Sequence, residues 1–254
     1  MEDTIAKFLD GMAIEENITV LLAVESGSRA WSFPSPDSDW DLRFIYVKPL
    51  KDYLSVFKKS DHIELQTEEG LDAVGWDLQK ALQLLSKSNC TLTEWLQSPI
   101  VYREKSGFRE DIHQLALDNF SPRSGLYHYL NLATKNRVPK EEEGYSTLKK
   151  QLYCLRSLMA CQWISREKTP PPMEIDTLIR RAEYDSTEKE SIQKLLRLKK
   201  QTPESEGYSG MDVLEQLVKR EINRFSEIAQ NSSKAKRADL DAIDLFFQKW
   251  VVAK

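Results

Sequence analysis

The 254-residue chain lacks a long apolar run, an excess of basic charge and a cysteine framework. No stretch reaches the roughly 18 consecutive apolar residues of a membrane span, so no membrane association is expected. The opening MEDTIAKFLDGMAIEEN is acidic and amphipathic, unlike a signal peptide with its basic flank and apolar block. Cys90, Cys154 and Cys161 are odd in number and widely spaced, which fits neither a disulfide set nor a zinc site. Reduced thiols in the cytoplasm are the expectation. His62, His113 and His128 stand at no metal-ligand spacing. With 36 Lys and Arg against 40 Asp and Glu, the net charge is −4, which excludes a general nucleic-acid coat.

A local basic patch is nonetheless present. Between Arg123 and Lys168 stand nine Lys and Arg against four Glu, so this stretch is positive while the remainder is acidic. It reads either as a solvated helix surface or as a phosphate-binding face.

The pattern predicts strands first and helices later, an α+β chain. A helix is expected over 2–16, with Ile5, Phe8, Leu9 and Met12 on one face. ITVLLAV (18–24) and LRFIYV (42–47) suit buried strands, with 26–38 as a loop and a short helix over 50–57. HIELQ (62–66), a turn at 68–70 and LDAVGW (71–76) complete the strands, and Asp77 suits the N-cap of the next helix. Beyond Asn89 the chain is expected to be helical, over 91–97, 107–119, 122–136, 145–166, 173–183, 187–200, 209–229 and 238–251, with an acidic loop at 141–144. The composition shift divides it into domains 1–118 and 119–254.

The chemistry lies in GSRAWSFPSPDSDWD, residues 27–41. Strand alternation places Asp39 and Asp41 on one face at the mouth of the second strand. Two carboxylates that close repel unless a cation lies between them. Mg²⁺ suits such a pair, since it takes oxygen ligands and often shares them with substrate phosphates. Gly27 allows backbone to approach a phosphate, and the Ser28 hydroxyl adds a donor. The plainer reading of SPDSD is a turn.

Gly-Ser, a loop of about ten residues and Asp-x-Asp leading into a strand resemble the DNA polymerase beta-like nucleotidyltransferases. More narrowly, ESGSRAW…SPDSDWDLRFIYV resembles the nucleotidyltransferases associated with RNA repair and RNA ligases. The similarity extends through VGWDLQKALQLLSKSNCTLTEWLQSPIVY (74–102) to KKQLYCLRSLMACQWISREKTPPP (149–172). It implies a polymerase beta-like catalytic domain over 1–118, a small mixed sheet with helices, then an all-helical region over 119–254. It further implies an NTP substrate such as ATP, Mg²⁺ or Mn²⁺, an RNA or tRNA 3′ end as acceptor, and an RNA ligase partner. The third family carboxylate maps to Asp72, a charged residue in an apolar strand, with Asp77 as the alternative. Asp39, Asp41 and Asp72 thus become both the metal ligands and the catalytic carboxylates. Glu25 would orient the loop or neutralise Arg29. Ser32 replaces a glycine frequent in the family, and Asn89-Cys90 replaces Asn-Pro.

Arg29 beside Gly27-Ser28 suits either a phosphate contact or a solvated loop. Lys149, Tyr153 and Arg156 share one helix face by spacing, with Lys150 beside it. The resemblance turns that face toward the nucleotide; otherwise it is an amphipathic helix with Leu152, Leu155 and Leu158 as its core side. Trp31 and Trp40 flank the motif as base-stacking or packing residues. Two other functions compete with nucleic-acid modification. One is NMP transfer to a protein or small-molecule hydroxyl. The other is a nucleotide-binding regulator without turnover.

Overall fold

A computed structural model describes residues 1–57, 59–67, 70–137, 146–203, 207–208, 212–233 and 237–252. The chain forms two compact units. The first comprises the described residues of Met1–Ala30, Asp39–Phe120 and Lys236–Lys254; the second those of Trp31–Ser38 and Ser121–Ala235.

The first unit is built on a five-stranded sheet. Its strands are β1 (Thr19–Glu25), β2 (Trp40–Val47), β3 (His62–Gln66), β4 (Leu71–Asp77) and β5 (Val101–Glu104), in the order β3-β4-β2-β1-β5. Only β2 and β4 run parallel; the other pairings are antiparallel, so the sheet is mixed. Around it lie α1 (Glu2–Glu15), α2 (Gly27–Ala30), α3 (Leu50–Tyr53), α4 (Leu78–Leu85), α5 (Cys90–Gln97) and α6 (Phe108–Asp118).

Strand alternation gives the sheet two apolar faces. On one, Leu42, Phe44 and Tyr46 of β2 meet Ile5, Leu9 and Met12 of α1. Gly75 of β4 lies under the Phe44 ring, where a Cβ would collide with it. On the other, Ile45 and Val47 pack with Leu78, Leu82 and Leu85 of α4 and with Trp95 of α5. Trp76 stacks on Trp95 at 3.8 Å between centroids. Asp77 caps α4 by accepting the Gln79 N–H at 2.8 Å, and also accepts the Tyr53 hydroxyl at 2.9 Å. Asn89 caps α5 by accepting the Leu92 N–H.

The second unit holds α7 (Pro122–Asn136), α8 (Leu148–Glu167), α9 (Ile175–Arg181), α10 (Ser186–Gln201) and α11 (Asp212–Asn231), with a two-stranded ribbon of β6 (Ser146–Thr147) and β7 (Gly207–Tyr208). Leu152, Leu155 and Leu158 are buried as the spacing predicts. Residues 31–38 belong to this unit: Trp31 edges on Tyr153, and the fully buried Lys199 meets the Ser35 hydroxyl through its Nζ. Ser32 adopts φ +73°, the left-handed conformation that the family glycine takes without strain.

Five expectations need correction. Residues 101–104 form β5, because pairing with β1 outweighs a short, half-charged sequence. The expected loop contains α2, and α3 stops at Tyr53 rather than residue 57. The helical region carries the β6–β7 ribbon, so it is not all-helical. Most consequentially, α12 (Leu240–Val252) does not belong with residues 121–235. Its Ile243, Phe246, Trp250 and Val251 join the sheet core, where Trp250 meets Phe108 edge-on at 5.0 Å. The expected turn residues 68 and 69, the acidic loop 141–144, and the predicted helix starts at 145 and 209 lie outside the described residues.

Replacing Trp250 with Ala should therefore weaken the sheet unit rather than the helical unit. A loss of about 3–5 kcal/mol is expected in denaturant unfolding, with the loss of near-ultraviolet signal tracking the first unit's aromatic core.

Candidate active site

The site forms where β1 ends and where β2 and β4 begin. In the parallel pair, Asp41 lies in register with Asp72. Alternation puts Asp41, Arg43, Ile45 and Val47 on one face of β2, and Asp72, Val74 and Trp76 on the same face of β4. That face is apolar under α4 and α5 and charged at the strand starts.

Arg43 lies between the two carboxylates. Its Nη2 donates to Asp41 Oδ1 at 3.0 Å and to Asp72 Oδ2 at 2.9 Å. Arg43 is the residue the motif leaves unmarked, although its signal is visible. It is a second charge inside an apolar strand, two residues beyond Asp41 and so on the same face.

Gly27 opens α2 with φ +59°, and a Cβ there would collide with Asp41 Oδ2 and stand 2.9 Å from its Cγ. Conformation and close approach both require glycine. The Ser26 N–H donates to the Asp41 carbonyl at 2.9 Å. Ser28 is buried. The Arg29 guanidinium lies 3.9 Å over the Trp40 ring, and its Nε donates to the Asp39 carbonyl at 3.1 Å.

Glu25 is fully buried. Its Oε1 accepts the Asp41 N–H at 2.9 Å and its Oε2 accepts the Tyr102 hydroxyl at 2.6 Å. Burial pushes its carboxyl above the ordinary value of 4.5, against the two hydrogen bonds and the Arg29 charge that favour ionisation. Glu25 thus orients the backbone of Asp41, with Tyr102 of β5 holding it from behind.

Arg43 brings Asp41 and Asp72 together, while Asp39 lies just before the strand. Strand β2 begins at Trp40, and Asp39 stands exposed just before it, beside Gly70. Among the described residues no three Asp, Glu, His or Cys side chains gather closely enough to hold a metal ion. Asp77 lies on the opposite face of β4 from Asp72, at the far end, and is committed to its cap. Tyr102 was not legible because β5 was not, and Ser98, the C-cap of α5, donates through its Oγ to the Glu25 carbonyl at 2.6 Å.

The remaining candidates lie on α8 in the second unit. Lys150 is exposed and Lys149 half-buried, its Nζ 6.0 Å from the Tyr153 ring centroid. Arg156 is buried, its guanidinium 4.2 Å over Trp31 and donating to the Met173 carbonyl through Nε at 3.4 Å. The shared face of Tyr153 and Arg156 therefore meets Trp31, which packs rather than lying open to a base.

The family model described as "RNA repair pathway DNA polymerase beta family" (RlaP) matches residues 1–249. The chain belongs to this family. By that membership it is a nucleotidyltransferase. The uncharacterized protein YcgL of Bacillus subtilis (strain 168) is 39% identical over 223 residues, covering 88% of this chain and 85% of its own. A solved nucleotidyltransferase-like protein from Exiguobacterium sibiricum 255-15 aligns with all of this chain and 80% of its own at 12% identity and TM-score 0.33, too slight a likeness to carry an argument. No helix among the described residues is long and apolar enough to cross a membrane.

Gly27→Ala should cost about 1–2 kcal/mol of stability from the left-handed backbone alone. Nucleotidyl transfer should fall further, about a hundredfold, because the new methyl displaces the Asp41 carboxylate. Unfolding curves beside turnover rates separate the two effects. Glu25 gives a pH signature. Its raised native pKa means that its contribution to stability is fully present below the unfolded value and is lost as pH rises through the native one. Denaturant unfolding from about pH 4 to about pH 8 should show Glu25→Gln losing less stability with rising pH than the parent chain.

Proposed function

We propose that the first unit moves an NMP from an NTP to an acceptor hydroxyl, with a nucleic-acid 3′ end in RNA repair as the acceptor. The observation that carries this reading is Asp41 level with Asp72 across a parallel strand pair, with Gly27 pressed against Asp41. The donor set fits Mg²⁺ or Mn²⁺. It consists of hard carboxylate oxygens, and both carboxylates already share one cationic group in Arg43. Asp41 and Asp72 would hold such an ion, and Asp39, exposed just before the strand, would have to turn toward them to add a third carboxylate. A bound divalent ion supplies charge neutralisation at the reacting phosphate.

The chain's own groups do the rest. Gly27 lets the triphosphate approach backbone, with the Ser28 hydroxyl and the Arg29 guanidinium as donors to it. Glu25 fixes the Asp41 backbone. Asp72, whose side chain is more exposed than that of Asp41, orients the attacking hydroxyl and draws its proton. The acceptor oxygen bonds to the α-phosphorus as the bond to pyrophosphate breaks. Lys149 and Lys150 serve nucleic-acid phosphates on α8, while Tyr153 and Arg156 keep Trp31 in place. An RNA ligase partner, ATP as donor and a cytoplasmic setting belong to the same reading. The net charge of −4 favours a second acceptor class, a protein or small-molecule hydroxyl.

Incubation with Mg²⁺, each NTP labelled at the α-phosphate, and total RNA tests this. Label on RNA, reduced at least about a hundredfold in Asp41→Asn and Asp72→Asn, is the expected result. Label on protein or small molecules alone moves the acceptor to the second class. NTP binding without label on any acceptor overturns the transferase reading of this site in favour of regulation.

A further inference from the structure

Arg43 is not a loose counterion. Its Nη1 donates to the carbonyl oxygens of Leu42 at 3.0 Å and Asp72 at 2.8 Å, while its Nη2 donates to both carboxylates. Two bonds tie the guanidinium to the backbones of β2 and β4, and two tie the carboxylates to it. The Arg43 side chain is 16% exposed, against 27% for Asp41 and 41% for Asp72, so the cation sits inward and the carboxylates outward. Both carboxylates keep more solvent contact than the arginine that bridges them.

We propose, building on the metal reading above, that Arg43 is a fixed internal cation that holds down the affinity of the Asp41–Asp72 pair for a divalent ion in the absence of nucleotide. The pair carries two negative charges and Arg43 cancels one. What remains attracts a divalent ion weakly. The triphosphate brings several more negative charges and oxygen ligands, and the ion then binds firmly. Metal uptake is thereby coupled to nucleotide uptake, and the site resists filling by an ion alone. The same fork keeps the two carboxylates in register while the ion is away. A lysine could supply the charge but not four hydrogen bonds from one planar group.

The test is Mn²⁺ binding, read from the paramagnetic resonance of the free ion, with and without a non-hydrolysable NTP analogue. Parent chain, Arg43→Gln, Arg43→Lys and Asp41→Asn/Asp72→Asn are compared, with circular dichroism to confirm folding. Arg43→Gln should bind Mn²⁺ alone at least about tenfold more tightly than the parent, since a full charge leaves at hydrogen-bond distance. Arg43→Lys should stay close to the parent, and the gain from nucleotide should shrink in Arg43→Gln only. Folded Arg43→Gln with unchanged or weaker Mn²⁺ affinity overturns the proposal. If Arg43→Gln does not fold, the parent chain decides. The Arg43 guanidinium nitrogen resonances, assigned by their loss in Arg43→Lys, should move on titration with Mg²⁺, and resonances that stay still overturn the proposal. Failure of the underlying metal reading looks different: the parent then binds no Mn²⁺ even with nucleotide, or the double Asn variant binds it equally well.

Discussion

Two negative charges level with one another across a parallel strand pair are the constraint from which the site follows. Neighbouring strands lie about 4.8 Å apart, and at that distance Asp41 and Asp72 repel unless a cation serves both. Arg43 is that cation, and its carbonyl partners on both strands make it part of the sheet. Gly27 has no side chain because the far oxygen of Asp41 fills the space. Glu25 is buried because the Asp41 N–H needs an acceptor there, and Tyr102 and Ser98 bind Glu25 in turn. Each neighbour answers a demand set by the pair.

The same face of the sheet is packed core at one end and a charged cluster at the other. Along β2 it runs from Asp41 and Arg43 to Ile45 and Val47; along β4 it runs from Asp72 to Val74 and Trp76. The polarity changes at the edge of the helices. Where α4 and α5 cover the strands, the side chains are apolar and packed. Beyond them, charge stays hydrated on its outer side and so avoids the cost of full burial. Rigid packing a few residues away anchors side chains that must keep a fixed spacing.

Much of this was legible in the sequence, and the losses have physical causes. The Gly-Ser turn, the carboxylates at the head of LRFIYV and the charge inside LDAVGW are local signals, and the structure places them at the end of β1 and the starts of β2 and β4. Strand β2 begins at Trp40, so alternation inside the strand fixes the face of Asp41 but not that of Asp39. The same rule, applied one step further, would have marked Arg43. Strand β5 and the membership of α12 are set by long-range partners, Leu22 and Ala23 for one and Phe108 for the other. Arg156 illustrates the limit of charge as a guide. Spacing put it on a cationic face, yet its guanidinium is spent on an indole ring and a carbonyl.

The place of α12 bears on how the protein is made. A ribosome delivers the chain in order, and domains fold as units while they emerge. Residues 121–235 are complete before Ile243, Phe246 and Trp250 exist, and those three finish the apolar cover of a sheet begun at Thr19. The nascent sheet therefore waits, part of its helix-side surface bare, through the synthesis of the whole helical unit. Asp41 and Asp72 therefore gain a finished scaffold only after residue 251 has been made.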